Sequence, residues 1–167
     1  LYQMKVISMN KNKKIAVFGG SGFLGKALLK LLMNQNYEII LFTRKKKFQQ
    51  TLENIFLDNN IKCTQWSIDN LQALEKKIKN VNYIINLCGI LYESKNGDFF
   101  KVHSDLPEIL GKISIKNKIK TLIHVSALGV SELSASKYSR SKAEGERKLL
   151  ENFPTGKILR PSLIYGK

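Results

Sequence analysis

The sequence predicts an α/β fold of the Rossmann type, a doubly wound parallel sheet of about six strands with helices on both faces, in three layers. The first observation is the order of an apolar run, a glycine-rich stretch and an apolar-periodic segment within residues 15–32. The second is that strand-like and helix-like segments alternate along the rest of the chain. The third is that the strand-like run at residues 81–88 is nearly continuously apolar, as expected of a strand covered on both faces.

The first half of the chain supplies three strands and three helices. The glycine-rich stretch leads into a helix over residues 22–35 with its leucines on one face, and residues 37–42 read as a buried strand. A modest helix is expected at residues 48–58 and a strand at 61–66. Residues 70–79 form an amphipathic helix, because their leucines and isoleucine recur at helical spacing.

The second half continues the alternation with a strand over residues 81–88 and a helix over 99–117. Pro107 lies inside that helical pattern, so either the helix starts later, near Leu106, or it kinks there. The remaining predicted elements are a strand at 121–125, a helix at 138–152 and a strand at 156–160.

Length and composition predict a single domain. The chain has 167 residues, with residues 1–13 as an N-terminal extension and residues 14–167 as a dinucleotide-binding Rossmann domain. It begins at Leu1 and ends directly after a strand-like run, so we treat it as a candidate fragment that lacks one or both ends and the substrate-binding segment. Its longest apolar stretch, residues 81–92, is too short to span a bilayer.

The formal net charge of +15 would suit nucleic acid, an anionic membrane surface or a phosphate-rich cofactor. The lysines are spread over several presumed surface faces and accompany no nucleic-acid-binding module, so we interpret them mainly as solvated surface and expect no nucleic-acid partner. Cys63 and Cys88 lie in strand-like runs without metal-ligand spacing. They predict buried thiols in a reducing compartment and no metal site.

The glycine-rich stretch is typical of a turn that binds the pyrophosphate of a dinucleotide. Glycines allow a tight turn, close approach of the ligand and close packing of helix on strand, while the N-terminus of the helix directs free N–H groups at the anion. The predicted cofactor-binding residues here are Gly19, Gly22, Phe23, Leu24 and Gly25.

The end of the second strand indicates which dinucleotide is bound. An acidic residue about twenty positions beyond the glycines holds the ribose of NAD, whereas an arginine accommodates the 2′-phosphate of NADP. Arg44 stands there, followed by lysines at 45–47. These cations also fit an ordinary exposed loop; combined with the glycine turn they favour NADP(H), with NAD(H) as the alternative.

Ser126, Tyr138 and Lys142 form the predicted catalytic group. Tyr138 and Lys142 are four residues apart on a helix and share one face, and Ser126 ends the preceding strand at the cofactor edge. A tyrosine with its usual pKa of about 10 needs a neighbouring ammonium to act as an acid or base at neutral pH. The serine would bind the reacting carbonyl oxygen, and Tyr138 and Lys142 would also contact the cofactor. His124 lies mid-strand among apolar residues, so we interpret it as a satisfied core histidine, and His103 has no partner motif.

The glycines of the turn and the residues of the predicted catalytic group belong to motifs that occur together in one protein family. The motifs are Gly19-x-x-Gly22-x-x-Gly25, Asn86–Gly89, Ser126, Tyr138-x-x-x-Lys142 and Arg160–Gly166. With them the chain, from about Lys14 to its end, resembles an extended or atypical short-chain dehydrogenase/reductase of the NAD-dependent epimerase/dehydratase type. More narrowly, residues 85–93, 124–129 and 138–146 resemble the nucleotide-binding accessory subunit of respiratory complex I and its bacterial relatives.

The resemblance implies a tightly held NADPH and a structural role beside a membrane complex. The implied partners are the dinucleotide and either complex I or membrane-surface lipid, in the bacterial cytoplasm at the inner membrane or in the mitochondrial matrix. The alternative function is an active oxidoreductase or epimerase on a nucleotide-sugar or similar carbonyl or alcohol substrate. An aspartate commonly contacts adenine in this family, but Ser67 stands there, with Asp69 two residues on. The remaining cofactor-binding residues implied are Ser67, Ile68, Leu87, Cys88, Gly89 and Pro161.

Overall fold

The structure is a computed structural model that describes residues 13–33, 35, 37–44 and 61–166. The predicted helix at residues 48–58 and the lysines at 45–47 lie outside the described residues. The strands are β1 (Lys13–Phe18), β2 (Tyr37–Thr43), β3 (Ile61–Gln65), β4 (Tyr83–Asn86), β5 (Thr121–Val125) and β6 (Lys157–Leu159). The α-helices are α1 (Phe23–Met33), α2 (Leu71–Ile78), α3 (Asp98–Phe100), α4 (Leu106–Lys116) and α5 (Lys137–Asn152), with a π-helical segment, Lys101–Asp105, between α3 and α4.

The six strands form one parallel sheet in the order β3-β2-β1-β4-β5-β6. The predicted Rossmann-type fold is therefore confirmed. The strand order runs outward in both directions from β1 and β4, which pair with Phe18 opposite Asn86. In such sheets a ligand binds outside the carboxyl ends of the strands, where the order reverses. This topology places the glycine turn and the residues after β4 at one edge.

The sheet is covered by apolar side chains on both faces. On one face, Phe18 stacks on Phe42 with ring centroids 4.3 Å apart and meets the edge of Trp66 at 5.1 Å. The apolar sides of α2, α4 and α5 complete this larger core. On the other face, Val17 and Leu41 pack with Leu29 of α1.

The strand β4 is shorter than the predicted run of residues 81–88. Asn82 uses its side-chain oxygen to accept from the Lys14 N–H at 2.8 Å, before the ladder begins. Beyond Asn86 the Cys88 N–H turns to the Asn86 side-chain oxygen at 3.0 Å, so the chain leaves the sheet. Polar side chains that bond to the backbone therefore end the strand at both sides.

The α-helix α4 begins at Leu106, as the first of the two predicted alternatives has it, but the chain before it is helical as well. The chain is helical from Asp98 and passes through the π-helical segment, in which the Leu106 N–H bonds to the Lys101 carbonyl. Pro107 has no N–H to offer the His103 carbonyl one turn earlier. That carbonyl instead packs against Gly145 of α5, where a Cβ would overlap the oxygen. The π segment thus brings two helix backbones into contact.

Among the described residues, we find no helix that is both long and apolar enough to cross a membrane.

Candidate functional site

A cleft of about 920 Å³ opens at the carboxyl ends of β1, β2, β3 and β4. Its floor is the glycine turn after β1, and its walls come from the residues after the neighbouring strands and from the start of the π segment. The predicted site residues that line it are Gly19, Gly22, Arg44, Ser67, Ile68, Leu87, Cys88 and Gly89. The structure therefore brings together residues from four separate parts of the sequence.

The glycine turn fits a pyrophosphate. Gly19 has φ +77°, and a Cβ there would lie 2.8 Å from the Leu87 carbonyl carbon and 2.9 Å from the Cys88 nitrogen. The Gly22 N–H donates to the Gly19 carbonyl at 3.0 Å, and Gly22 is exposed to the cleft. Gly25 is buried where a Cβ would overlap Gly20. The turn therefore lets a ligand approach its backbone at the N-terminus of α1, where free N–H groups attract an anion.

Arg44 lies at the end of β2, is exposed, and lines the cleft. Its guanidinium acts electrostatically on the Cys88 thiol across the cleft, although burial dominates there and raises the pKa of Cys88 to about 12. As whole residues Cys63 and Cys88 are half-buried, while the Cys88 thiol itself is buried as predicted. Arg44 thus places a permanent positive charge on the wall of the cleft.

Ser67 and Asp69 form the wall after β3. The Asp69 N–H donates to the Ser67 hydroxyl at 3.2 Å, and Lys101 of the π segment donates to the Asp69 carboxylate at 2.7 Å. The Lys101 hydrogen bond is the main reason that the pKa of Asp69 lies below its usual value. Ser67 and Asp69 are therefore hydrogen-bonded to each other on this wall of the cleft.

Tyr138 and Lys142 share one face of α5. The Lys142 Nζ lies 5.7 Å from the centroid of the Tyr138 ring and donates to the Val125 carbonyl at 3.4 Å. It also lies 3.5 Å from the position of a Cβ on Gly89. Because Gly89 lines the cleft and has no side chain, Lys142 adjoins the cleft directly behind that wall.

Burial sets the protonation of this pair. It lowers the pKa of Lys142 to about 8, with Glu146 and Cys88 opposing that shift. It raises the pKa of Tyr138 above its usual value. At neutral pH Lys142 therefore keeps its proton and its charge, and the Tyr138 hydroxyl is a hydrogen-bond donor.

Ser126 follows β5, and its hydroxyl oxygen is buried without a hydrogen-bond partner in the described part of the chain. Its backbone N–H donates to the Leu159 carbonyl at 2.8 Å, which holds it beside the end of β6. A buried hydroxyl without a partner costs free energy unless a ligand or water satisfies it. Ser126 thus retains its hydrogen-bonding capacity.

The other predicted residues lie outside the lining of the cleft. Phe23 is exposed at the start of α1, near Gly166, and Leu24 is half-buried. Pro161 accepts a hydrogen bond from the Leu128 N–H at 2.9 Å. No group of three or more metal-binding side chains occurs among the residues that the structure describes.

His103 is a site residue that sequence reasoning missed. It is fully buried, its ring stacks on Phe99 at 5.4 Å, and its edge meets Tyr138 at 5.2 Å. The four-residue spacing of Phe99 and His103 could be read from the sequence as one shared helix face, but their contact with α5 could not. His124, interpreted as a satisfied core histidine, bonds to Asn86 at 3.1 Å through Nδ1, while its Nε2 has no partner among the described residues.

Comparison with known proteins identifies the family. The family model described as "NAD dependent epimerase/dehydratase family" matches residues 15–167. The chain belongs to this family. Its membership supports a nicotinamide dinucleotide as the class of ligand for the cleft.

This family member is similar to subunits of mitochondrial complex I. It is 32% identical over 152 residues to the NADH dehydrogenase [ubiquinone] 1 alpha subcomplex subunit 9 of Mus musculus, covering 90% of this chain and 40% of that protein. It is 26% identical over 150 residues to the NADH-ubiquinone oxidoreductase 40 kDa subunit of Neurospora crassa, again covering 90% and 40%. The chain thus spans about two fifths of the length of these relatives.

A solved structure of another protein has the same fold as this family member. The UDP-glucuronic acid 4-epimerase from Bacillus cereus, in complex with NAD, superposes with a TM-score of 0.75 at 21% identity, over 92% of this chain and 58% of that one.

Proposed function

We propose that this chain is the dinucleotide-binding part of a protein of the complex I accessory-subunit type, and that it holds NADPH in the cleft. The observation that carries the proposal is the 32% identity to the mouse alpha subcomplex subunit 9, which extends over 90% of this chain. The relatives' location supports the mitochondrial matrix, or the inner face of the membrane in a bacterium.

Arg44 supports NADPH over NADH. The glycine turn positions a pyrophosphate beside β1, so the adenosine ribose of the bound dinucleotide would extend toward the end of β2, where Arg44 lines the cleft. A guanidinium offers several N–H donors to a phosphate. The nicotinamide would then extend toward Gly89, where Lys142 lies behind the wall.

Arg44→Ala is expected to weaken NADPH binding about 10- to 100-fold and to leave NADH binding nearly unchanged, because a hydrogen bond to a charged group contributes about 1.5–3 kcal/mol. Titration of each variant with both cofactors measures this. Arg147→Ala is the matched control, since Arg147 of α5 pairs with Glu132 of the preceding loop and with Glu151, and does not line the cleft. Equal affinity of the parent protein for NADPH and NADH would contradict the preference.

Association with complex I is tested on the intact protein. We expect it to co-purify with the membrane fraction that contains that complex and to release NADPH on denaturation. Absence of both results would refute the accessory-subunit proposal. Bound NADPH without complex I would leave the cofactor part intact and refute the partner.

The second candidate is an active oxidoreductase or epimerase, and the unpartnered buried hydroxyl of Ser126 favours it. NADPH would supply a hydride. Ser126 and Tyr138 would bind the carbonyl oxygen of a substrate, and the Lys142 ammonium would stabilise charge developing on it. The relatives include a ceramide reductase of Caulobacter vibrioides at 24% identity, covering 91% of this chain and 46% of that protein.

For this candidate, Tyr138→Phe is expected to lower turnover by at least about 100-fold, because general acid–base catalysis contributes about 10²–10⁴-fold. NADPH affinity should change little, since the ring and its contacts with Phe99 and His103 remain. Steady-state assays on carbonyl substrates, with a parallel NADPH titration, measure both quantities. Unchanged turnover would eliminate the catalytic role of the tyrosine.

A further inference from the structure

A continuous chain of hydrogen bonds connects the wall of the cleft to α5 through His103. The Ile90 N–H donates to His103 Nε2 at 3.0 Å, and His103 Nδ1 lies 3.0 Å from the Ser141 hydroxyl. The Ser141 hydroxyl donates in turn to the Tyr138 carbonyl at 2.8 Å. The chain therefore starts in the cleft wall and ends on Tyr138.

The direction of these bonds fixes the tautomer of His103. A backbone N–H can only donate, so Nε2 is the acceptor and carries no proton. The proton of the neutral ring then lies on Nδ1, which donates to Ser141. Burial first and the charge of Lys142 second hold the pKa of His103 at about 4, so the ring is neutral at physiological pH.

The same wall has a second anchor on α5. Glu93 accepts hydrogen bonds from the backbone of Gly97 and Phe99 at 3.0 Å each, and its other oxygen binds Lys137 at 2.7 Å. Lys137 directly precedes Tyr138, and Ser141 lies three residues after Tyr138. The two anchors therefore flank Tyr138.

We propose that His103 is a positioning residue that locks the Gly89–Ile90 wall of the cleft and Tyr138 into one fixed arrangement. The lock preforms the side of the cleft where, on the proposed function, the nicotinamide would lie. It acts through two hydrogen bonds of a single tautomer, and the aromatic stacking on Phe99 is secondary. His103 itself touches no ligand in this role.

Three substitutions separate the hydrogen bonds from the packing. His103→Phe retains an aromatic ring and removes both bonds. His103→Gln places an amide oxygen near the Nε2 position and restores the bond to Ile90, whereas His103→Asn restores only the bond on the Ser141 side. We expect the Phe variant to bind NADPH about tenfold more weakly than the parent protein, and the Gln and Asn variants, each with one of the two bonds, to bind with affinities between those of the Phe variant and the parent.

Hydrogen exchange of the Ile90 amide, measured without ligand, provides a second readout. Its protection should fall about tenfold in the Phe and Asn variants and persist in the Gln variant. If the parent protein does not bind NADPH, the proposed function fails, while the exchange data still decide the role of His103. Parent-like NADPH binding and Ile90 protection in the Phe variant would overturn the proposal. If the Phe variant does not fold, Ile90 protection in the Gln variant that is no better than in the Asn variant overturns it.

Discussion

Gly19→Ala is expected to lower the free energy of unfolding by about 2–5 kcal/mol and to abolish measurable NADPH binding. The alanine would have to adopt φ +77°, and its Cβ would press on the backbone of Leu87 and Cys88, with the closest atom at 2.8 Å. Relief of that contact separates the end of β1 from the cleft wall. Denaturant unfolding gives the loss of stability, and a titration with NADPH gives the loss of binding.

Gly129→Ala is the matched control for this prediction. Gly129 has φ +75°, almost the same backbone conformation, but nothing lies within 4 Å of a Cβ there. Its substitution should therefore cost only the left-handed strain, about 1–2 kcal/mol, and should leave NADPH binding unchanged. Equal effects of the two variants would show that contact with the cleft wall contributes nothing.

Gly145→Ala is expected to lower the free energy of unfolding by at least about 2 kcal/mol, although alanine favours a helix by about 1 kcal/mol over glycine. A Cβ on Gly145 would overlap the carbonyl oxygen of His103, so α5 would have to move away from the π segment. That movement would also stretch the bond between His103 and Ser141. Thermal or denaturant unfolding measures the loss of stability.

Gly111→Ala, on the facing helix α4, is a comparison variant with a milder steric contact. A Cβ on Gly111 would lie 3.1 Å from the Leu149 carbonyl oxygen and from the Asn152 Cβ, a tight contact that small shifts can relieve. The gain in helix propensity should offset most of that cost, for a net change within about 1 kcal/mol. If Gly111→Ala lowered the free energy of unfolding as much as Gly145→Ala, closer packing would be resisted along the whole contact between α4 and α5 and not specifically at the π segment.

The sheet could be predicted from the sequence because its signals are local. The strands β1, β2 and β4 each contain an apolar run, and the glycine turn after β1 identifies the carboxyl edge of the sheet where the cleft opens. The exact end of β4 was not readable, because it depends on side-chain bonds of Asn82 and Asn86 to backbone groups. The start of α4 at Leu106 was among the predicted alternatives, whereas the π segment before it was not readable, since it packs against Gly145 of a helix distant in sequence.

The site was predictable where a motif has fixed spacing and unpredictable where residues meet across elements. The pairing of Tyr138 with Lys142 follows from helical geometry, and the two side chains do lie on one face. The contact of His103 with Ser141 joins residues 38 positions apart and has no spacing rule. The cofactor-binding and catalytic roles of these residues remain predictions for the titrations described above.

The π segment determines how the side chains before and after it are oriented about the helix axis. A π turn uses one more residue than an α turn, so it rotates every following side chain about the helix axis relative to those before it. Phe99 before the segment and His103 within it contact Tyr138, and beyond it Leu110 and Ile113 belong to the apolar core. Deletion of one residue within the segment would therefore let the stretch continue as a regular α-helix with these faces kept, whereas a one-residue deletion in the regular part of α4 would rotate the two sides by about 100° relative to each other.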